Sequence, residues 1–505
     1  MKNYHRTILS MLSVLFLFLS FRELGFFAWF SLIPFLFVIY NSNLKQTLLF
    51  SFICGMGFFI GVTYWMNNLP VKYVWLLLTP LLSIIFLIYG TSIYFIFKKI
   101  HQPILRMFLI PAVWLFIEFI RSQTLLAFTI GILGYTQYSF LPLMQITRFT
   151  GIYGVSFIVI LFNIAIFETI LFLIKNKKAT FKFLIISISI LVVFVTYGIA
   201  SLNNNLNRVI SEKGYSEIKL ALVQPNILLG DKYSGKGMEI IPEPYCEETY
   251  FREDTDLVVF PESMLWGFME ENESFKDWAK KVAKTENLYI LIGQYAHDDE
   301  FDRYYDSALL YDPDMEITGR YDETHPVPFS QYMPYPKVLG FLKFLDFSVV
   351  NLIPARDYNS INYRETGKIG VNICYESTIP SIARKVRNND AEAIFILSDS
   401  ASLGDSIAPW HHLIFSRVRA IENGCYVVHC ANTGISAIIS PDGELVARSD
   451  LLSKTVFYGS VFLIKEKTFY TKYGDMLVII YIGTIFLLTI VYLILKKLKK
   501  ISWAS

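Results

Sequence analysis

Two long apolar blocks limit what this chain can fold into. Residues 1–200 and 474–495 are nearly continuous hydrophobic sequence, whereas residues 215–465 alternate apolar, polar and charged segments as a soluble domain does. Over all 505 residues, 54% are hydrophobic and only 17% are charged, which is too apolar for an ordinary soluble protein. The sequence therefore predicts an integral membrane protein with a globular domain inserted before its last span.

The apolar blocks divide into about eight predicted membrane helices, since a bilayer core needs about 20 apolar residues per helix. Seven of them precede the globular block and one follows it. The predicted spans are residues 6–22, 24–41, 46–67, 72–97, 104–121, 152–174, 180–200 and 474–495. Residues 125–145 are also apolar, but Gly131, Gly134 and Pro142 interrupt them, so we interpret this stretch as re-entrant or interfacial. We expect three units: a seven-span domain at 1–200, a globular domain at 215–465 and a final helix at 474–495.

The basic residues between the spans predict the orientation. Five short segments are rich in lysine and arginine, and with eight spans all five lie on one side: MKNYHR, NSNLKQ, FKKIHQPILR, KNKKATFK and KKLKK. Basic loops mark the cytoplasmic side. The globular domain follows seven crossings and is expected outside, on the periplasmic side of a bacterial inner (cytoplasmic) membrane, with a eukaryotic lumen as the alternative.

Charge and cysteine content exclude several classes of partner. The net charge is +2, so nothing indicates a nucleic-acid partner. The five cysteines, an odd number, form neither a CxxC nor a Cys/His pattern, so we expect no disulfide framework, no metal site and no cofactor. Cys425 and Cys430 are expected to be strand packing.

Polar residues end three predicted strands of the globular block. Glu262 follows TDLVVFP, Cys374 follows KIGVNI and Asp399 follows AEAIFILS, while segments of helical period such as FKDWAKKVAKTEN lie between strands. This alternation predicts an α/β domain, and α/β folds place ligands at the carboxyl ends of strands. A thiol reacts as its thiolate and needs a base, which Glu262 could supply. Alternatively, Cys374 is ordinary packing and Glu262 caps the helix that follows.

Four motifs of this block resemble those of the nitrilase superfamily: VVFPES, GRYDETHPVPFSQYMPY, GVNICYES and SRVRAIENGCYVVHCANTGISAIISPDGELVAR. In the membrane half, WLFIEFIRS and FTGIYGVSFIV are similar to helices of the apolipoprotein N-acyltransferases, the membrane-anchored branch of that superfamily. The resemblance covers nearly the whole chain. It implies an αββα sandwich for the globular domain.

The resemblance also implies a two-step acyl transfer. The thiolate of such an enzyme attacks a membrane phospholipid ester, keeps the acyl chain as a thioester, and passes it to the N-terminal diacylglyceryl-cysteine of a lipoprotein. Matched position by position, Cys374 is the nucleophile and Glu262 the general base. We expect a monomer whose partners are membrane phospholipid and diacylglyceryl lipoproteins. The residues that the resemblance places around the substrate are Tyr233, Gln331, Tyr375 and Glu376.

The sequence departs from the family at the third catalytic position, where Glu323 replaces a lysine. Lysine steadies both the thiolate and the oxyanion, whereas a carboxylate opposes both and raises the thiol pKa. A substitute cation is available at His325, although a surface loop position is expected for it, or at Lys337. Ser330 and Gln331 also replace the usual Gly and Glu.

Two further hypotheses therefore remain from the sequence. One is a non-catalytic lipid- or lipoprotein-binding paralogue that keeps the fold and the cleft. The other is a membrane-anchored amidase that acts on small C–N substrates, which the number of predicted spans argues against.

Overall fold

The computed structural model contains a helical half and a two-sheet half. The residues it describes are 1–69, 72–175, 181–203, 213–233, 251–252, 254–263, 273–298, 303–345 and 352–502.

Long apolar helices make up the N-terminal half and the C-terminal end. The first nine helices in chain order are α1 (Asn3–Ser20), α2 (Ile33–Tyr40), α3 (Leu44–Thr63), α4 (Val74–Lys99), α5 (Pro103–Ile120), α6 (Leu141–Met144), α7 (Thr147–Thr150), α8 (Tyr153–Ile174) and α9 (Lys182–Asn203). Among the described residues, six helices are long and apolar enough to cross a membrane, and they correspond to six of the predicted spans: 44–68, 75–99, 103–120, 153–174, 182–203 and 476–498. The chain is therefore built as a multi-pass membrane protein.

The span predicted at 24–41 is not one continuous helix. A 3₁₀ segment, Gly25–Trp29, is separated from α2, which begins one residue before Pro34. The Asn163 side chain of α8 satisfies backbone groups at the break, since its Oδ1 accepts from Leu32 N (2.8 Å) and its Nδ2 donates to the Ala28 carbonyl (2.9 Å). A helix can be interrupted at membrane depth only where such partners exist. Residues 125–145 form turns and short helical pieces, and none of them is a long helix.

The globular half begins with a six-stranded sheet of order β12-β1-β2-β3-β4-β5. Its strands are β1 (Glu217–Gln224), β2 (Leu257–Val259), β3 (Tyr289–Asp298), β4 (Arg303–Tyr311), β5 (Ile317–Asp322) and β12 (Thr455–Phe462). The neighbours β1, β2 and β3 are parallel, so their carboxyl ends lie at one edge.

The second sheet has the order β11-β10-β9-β8-β7-β6. Its strands are β6 (Ile361–Tyr363), β7 (Gly367–Ile373), β8 (Ala393–Ser398), β9 (Val427–Ala431), β10 (Ala437–Ile439) and β11 (Leu445–Arg448). The three strands β7, β8 and β9 are parallel. Every residue of β8 is buried, as its unbroken apolar sequence AIFILS predicts for a central strand covered on both faces.

The two sheets face each other, and helices cover their outer sides. Leu222 and Leu291 of the first sheet share one buried cluster with Val371 and Phe395 of the second. The remaining helices within the described residues are α10 (Leu229–Tyr233), α11 (Glu273–Glu286), α12 (Pro336–Leu339), α13 (Pro380–Asn388), α14 (Ala408–Asn423), α15 (Phe469–Tyr473) and α16 (Met476–Ser502). Helix α11 packs on the first sheet, and α13 and α14 pack on the second. The αββα sandwich expected from the resemblance is confirmed.

Polar contacts fix the sandwich against the helical half. Arg148 of α7 forms an ion pair with Asp442 at 2.6 Å. Glu422 of α14 accepts a hydrogen bond of 2.8 Å from Ile152 N at the start of α8. Helix α14 thus covers the second sheet and also contacts the membrane half.

Candidate active site

Cys374 lies at the carboxyl end of β7, where the strand stops at Ile373 and a 3₁₀ turn, Cys374–Thr378, begins. Its backbone φ is 40°, a left-handed conformation that costs a residue with a side chain about 1–3 kcal/mol. Ile373 is fully buried, whereas Cys374 is partly accessible. The turn therefore takes the thiol out of the sandwich core to the edge of the sheet.

Glu262 lies beside that thiol, three residues after the end of β2. Its Oε2 accepts a hydrogen bond of 2.7 Å from the backbone N–H of Asp399, which follows β8. Asn432 Nδ2 donates to Asp399 Oδ1 at 2.9 Å and holds that residue in place. Glu262 is 5% exposed, so its carboxyl is oriented by the ends of two strands and shielded from bulk water.

The thiol is held in its protonated form. Burial raises the pKa of Cys374 well above its ordinary value, and the charge of Glu262 and a hydrogen bond from the thiol to that carboxyl raise it further. The more distant Glu323 acts in the same direction, while the backbone of Asp399 opposes it. Glu262 is thus placed to remove the proton at the moment the sulfur attacks.

A serine and a histidine support the other side of the cysteine. Ser398 Oγ lies 3.8 Å from Cys374 Sγ and 3.1 Å from His412 Nδ1. His412 Nε2 lies 2.9 Å from the Cys374 carbonyl oxygen, which can only accept, so this nitrogen carries the proton. Burial lowers the pKa of His412 to about 4, so the ring is neutral. His412 thus holds the turn at Cys374 through the carbonyl oxygen. Ser398 lies between the imidazole ring and the sulfur.

Glu323 directly follows β5 and is 1% exposed. Its backbone N–H donates to the Asp306 carbonyl and its carbonyl accepts from Ala355 N, both at 2.8 Å. Neither carboxyl oxygen has a hydrogen-bond partner among the described residues. Burial, followed by the charges of nearby carboxylates, raises the pKa of Glu323 well above its ordinary value.

The two substitute cations suggested by the sequence are not supported. His325 is only 7% exposed, so the expectation of a surface loop position is wrong; its ring stacks on Tyr375 with a 6.2 Å centroid distance. Burial lowers its pKa to about 4, which leaves it neutral. Lys337 is exposed on α12.

A separate cavity of about 70 Å³ lies between the first membrane segments and α14. Phe21, Tyr135, His411 and Phe415 are among the residues that line it, and Cys374 is not. This cavity is not part of the site around the thiol.

Comparison with known proteins agrees with this arrangement. Residues 219–463 match the carbon-nitrogen hydrolase family, and residues 13–165 match the apolipoprotein N-acyltransferase N-terminal domain. The apolipoprotein N-acyltransferase of Geobacter metallireducens is 28% identical over 485 residues, which cover 93% of this chain and 92% of that protein. The one from Haemophilus influenzae is 26% identical over 503 residues, which cover 94% and 92%.

The chain belongs to the apolipoprotein N-acyltransferase family. Among solved structures, Saccharomyces cerevisiae Nit3, a member of branch 10 of the nitrilase superfamily, is 20% identical, with a TM-score of 0.37, and the match covers 49% of this chain and 90% of that one. The two family matches divide the chain at the same boundary as the fold, with helices first and the sandwich second.

Of the residues that the N-acyltransferase resemblance placed around the substrate, Glu376 is fully buried. Its carboxyl accepts from Tyr321 Oη at 3.0 and 2.9 Å, from Thr324 N at 2.7 Å, from Thr324 Oγ1 at 2.6 Å and from Ile373 N at 2.8 Å. These bonds join the residues before Cys374 to those after Glu323. Glu376 thus links the turn that contains Cys374 to the segment that contains Glu323.

The other three of these residues have different surroundings. Tyr375 Oη donates to the Ala127 carbonyl at 2.6 Å and so ties the residue after the thiol to the membrane half. Gln331 Oε1 accepts from Val327 N at 2.5 Å within its own loop. Tyr233 ends α10, and its side chain lies outside the described part of the chain.

Sequence reasoning missed two groups at this site, Ser398 and His412. Ser398 is the last residue of an apolar strand, and His412 is one of two adjacent histidines on a helix. Neither position forms a motif with Cys374 along the chain. The signal that could have indicated His412 is helical spacing. His412 and Ser416 are one turn apart on the buried face of α14, where polar side chains need partners.

Proposed function

We propose that this chain transfers an acyl chain from a membrane phospholipid to the N-terminal amine of a diacylglyceryl-cysteine lipoprotein, through a thioester on Cys374. The observation that carries the proposal is the placement of the Glu262 carboxyl, held by the Asp399 N–H, beside the Cys374 thiol at the edge of the two sheets. The names of the relatives support the same reaction.

The first step is thioester formation. The Cys374 sulfur attacks the ester carbonyl carbon while its proton passes to Glu262, which the Asp399 N–H holds in position. Collapse of the tetrahedral intermediate breaks the ester C–O bond, and the proton on Glu262 goes to the leaving lysophospholipid oxygen. The acyl chain remains on sulfur.

The second step consumes the thioester. The lipoprotein amine attacks the thioester carbonyl carbon, Glu262 accepts a proton from that nitrogen, and the Cys374 sulfur leaves and regains its proton. The product is an amide, and the thiol returns to its starting state.

Contacts on the membrane side support lipid substrates. Tyr375 and Tyr332 both donate to carbonyls of the segment that follows α5, at Ala127 (2.6 Å) and Leu125 (3.3 Å). The nucleophile is therefore one residue from a contact with the membrane half. An amidase for small soluble substrates would gain nothing from this placement.

The proposal includes an architecture and a location. Residues 1–200 form the membrane domain, 215–465 the catalytic domain and 474–495 the last span. The catalytic domain faces the periplasm from a bacterial inner membrane, and the chain works as a monomer. The basic segments on one side of the spans support this orientation.

The test is direct detection of the acyl-enzyme. Purified full-length chain is incubated with phosphatidylethanolamine and phosphatidylglycerol vesicles, and the Cys374 peptide is examined by mass spectrometry. We expect a hydroxylamine-sensitive acyl adduct that is absent from a Cys374→Ala variant. Without an adduct on the wild-type peptide, under conditions where a Glu323→Lys variant forms one, the proposal fails.

A non-catalytic lipid- or lipoprotein-binding role is the second candidate, and Glu323 at the lysine position favours it. In that case Cys374→Ala would leave the biological role intact. Complementation of a bacterium depleted of its own N-acyltransferase separates the two candidates, because an acyltransferase loses all rescue with this variant.

A further inference from the structure

The Glu323 carboxyl is a buried group without a partner inside the proposed active site. It is 1% exposed, and neither of its carboxyl oxygens makes a hydrogen bond within the part of the chain that the structure describes. Its backbone is hydrogen-bonded on both sides, to Asp306 and to Ala355, which fixes the main chain from which the side chain extends. An unpaired polar group is destabilising in such a place unless a ligand or reacting group pairs with it.

The surroundings of Glu323 are acidic. Asp306 on β4, Glu376 after β7 and Glu262 after β2 all act on it, and each raises its pKa. Among the described residues, no cationic side chain contributes to that pKa. The tyrosines and the histidine nearby are uncharged at neutral pH. The titratable groups that interact electrostatically with it are Glu262, Asp306, Tyr321, Tyr332, Cys374 and Glu376, and His325 is two residues away along the chain.

The protonated form of Glu323 fits this site. An isolated carboxylate buried among other carboxylates is strongly unfavourable, whereas the neutral acid needs no counter-ion. A neutral carboxyl group has an O–H donor, and a carboxylic acid kept neutral in this way can serve as an oxyanion donor. The objection to a glutamate at the lysine position applies to the anion and not to the acid.

We propose that Glu323 is a catalytic residue that donates its O–H to the oxyanion formed when the Cys374 sulfur adds to the acyl carbonyl. The inference rests on the proposed acyl transfer. As the S–C bond forms, the Cys374 proton passes to Glu262 and the carbonyl oxygen becomes an alkoxide that accepts from Glu323. When the intermediate collapses, the C=O bond returns, and Glu323 retains its proton throughout.

This assignment agrees with the state of the thiol. A lysine would stabilise a thiolate before substrate arrives, but a neutral donor does not, and Cys374 is indeed held as S–H. Proton transfer to Glu262 then accompanies attack. The chain replaces a charged donor by a neutral one and keeps the base and the nucleophile.

The experiment measures the rate of acyl-adduct formation on Cys374 in the full-length chain, with the phospholipid vesicles described above, between pH 6 and 10. Four proteins are compared: wild type, Glu323→Gln, Glu323→Leu and, as a matched control on an exposed turn, Glu316→Gln. Glutamine keeps a neutral N–H donor in nearly the same shape. We expect Glu323→Gln to lose no more than about ten-fold and Glu323→Leu to lose about 10²–10³-fold.

The pH profile distinguishes a catalytic acid from a packing residue. Ionisation of Glu323 removes the donor, so the ratio of the wild-type rate to the Glu323→Gln rate should fall as pH rises. Titration of Cys374 and Glu262 affects both proteins and largely cancels in this ratio. The ratio remains informative even if Glu323→Leu does not fold.

Two negative results have different meanings. If wild type forms the adduct but Glu323→Gln is as slow as Glu323→Leu and the ratio is flat, the inference is overturned and the acyl transfer stands. If wild type forms no adduct at any pH, the proposed function itself is overturned, and the inference with it.

Discussion

The Cys374 thiol illustrates how one side chain can be placed for catalysis and yet be a poor general nucleophile. Burial and the adjacent Glu262 hold its pKa well above the ordinary value, so little thiolate exists at neutral pH. Free thiolate is what alkylating reagents detect. Reactivity toward such reagents and acyl transfer should therefore respond in opposite directions when Glu262 is changed.

We predict that Glu262→Gln increases alkylation of Cys374 and abolishes acylation. Removing the negative charge and the acceptor of the thiol proton lowers the thiol pKa, and each unit of pKa gives about ten-fold more thiolate. Loss of the base lowers the acylation rate by about 10²–10⁴-fold. Iodoacetamide labelling of the Cys374 peptide, followed between pH 7 and 9, and adduct formation from phospholipid measure the two effects.

The control is Glu365→Gln, an exposed glutamate in the turn between β6 and β7, which should change neither rate. If Glu262→Gln slows alkylation as well as acylation, Glu262 does not set the state of the thiol.

The position of Glu262 depends on a close approach between two backbone segments, β3 and residues 261–262. In β3, a Cβ built on Gly293 would lie 2.6 Å from the Cα of Glu262 and 3.0 Å from the Pro261 carbonyl oxygen. Real contacts of that kind do not occur, so a side chain at Gly293 must push the Glu262 segment away. The glycine leaves room for the Glu262 backbone to lie against β3.

We predict that Gly293→Ala lowers the acylation rate although it removes no catalytic group. A displacement of about 1 Å in a catalytic group can cost about 10²-fold, and the overpacking should destabilise the fold by about 1–3 kcal/mol. Gly230→Ala is the control, because a Cβ there meets no described residue within 4 Å. Adduct rate and thermal unfolding are measured for both. Equal rates for the two variants would contradict the steric argument.

The sequence was sufficient to predict those elements that form because of a local pattern of residues. Continuous apolar runs predicted the long helices, and the apolar strand ending in Cys374 predicted the edge at which it meets Glu262. It was insufficient where the cause is a contact across the chain. Asn163 satisfies a helix break more than 130 residues away, and His412 contacts the Cys374 turn from another element. Neither partner is visible in a local pattern.

The same distinction applies to charges. Arg106 counted among the basic residues flanking a span, yet it is buried and pairs with Glu168 of α8 through two hydrogen bonds of 2.7 Å. Likewise, the sequence predicted a negative charge at Glu323 that would oppose the thiolate and the oxyanion. The sequence shows the residue type and not its protonation state. Burial among carboxylates is a property of the folded cleft.

The orientation of the whole molecule depends on the parity of the crossings. Five of the six long apolar helices precede the sandwich, and one follows it. If α1 and the broken segment Gly25–Tyr40 both cross, seven crossings precede the sandwich; if neither crosses, five do. The number is odd in both cases. Arg106 is paired with Glu168 and is left out of this comparison. The exposed basic residues, such as Lys98, then lie on the side of the membrane opposite the sandwich.

We predict that a thiol introduced in the sandwich is accessible from outside the cell and one beside α4 is not. Asp314→Cys lies on the exposed turn between β4 and β5, and Lys98→Cys lies at the end of α4. A membrane-impermeant maleimide applied to spheroplasts should label the first variant at once and the second only after permeabilisation, with the parent chain as background. The positive-inside distribution requires this order. Labelling of Lys98→Cys in intact spheroplasts, with Asp314→Cys protected, would place the acyl-transfer site in the cytoplasm, away from lipoproteins that have crossed the membrane.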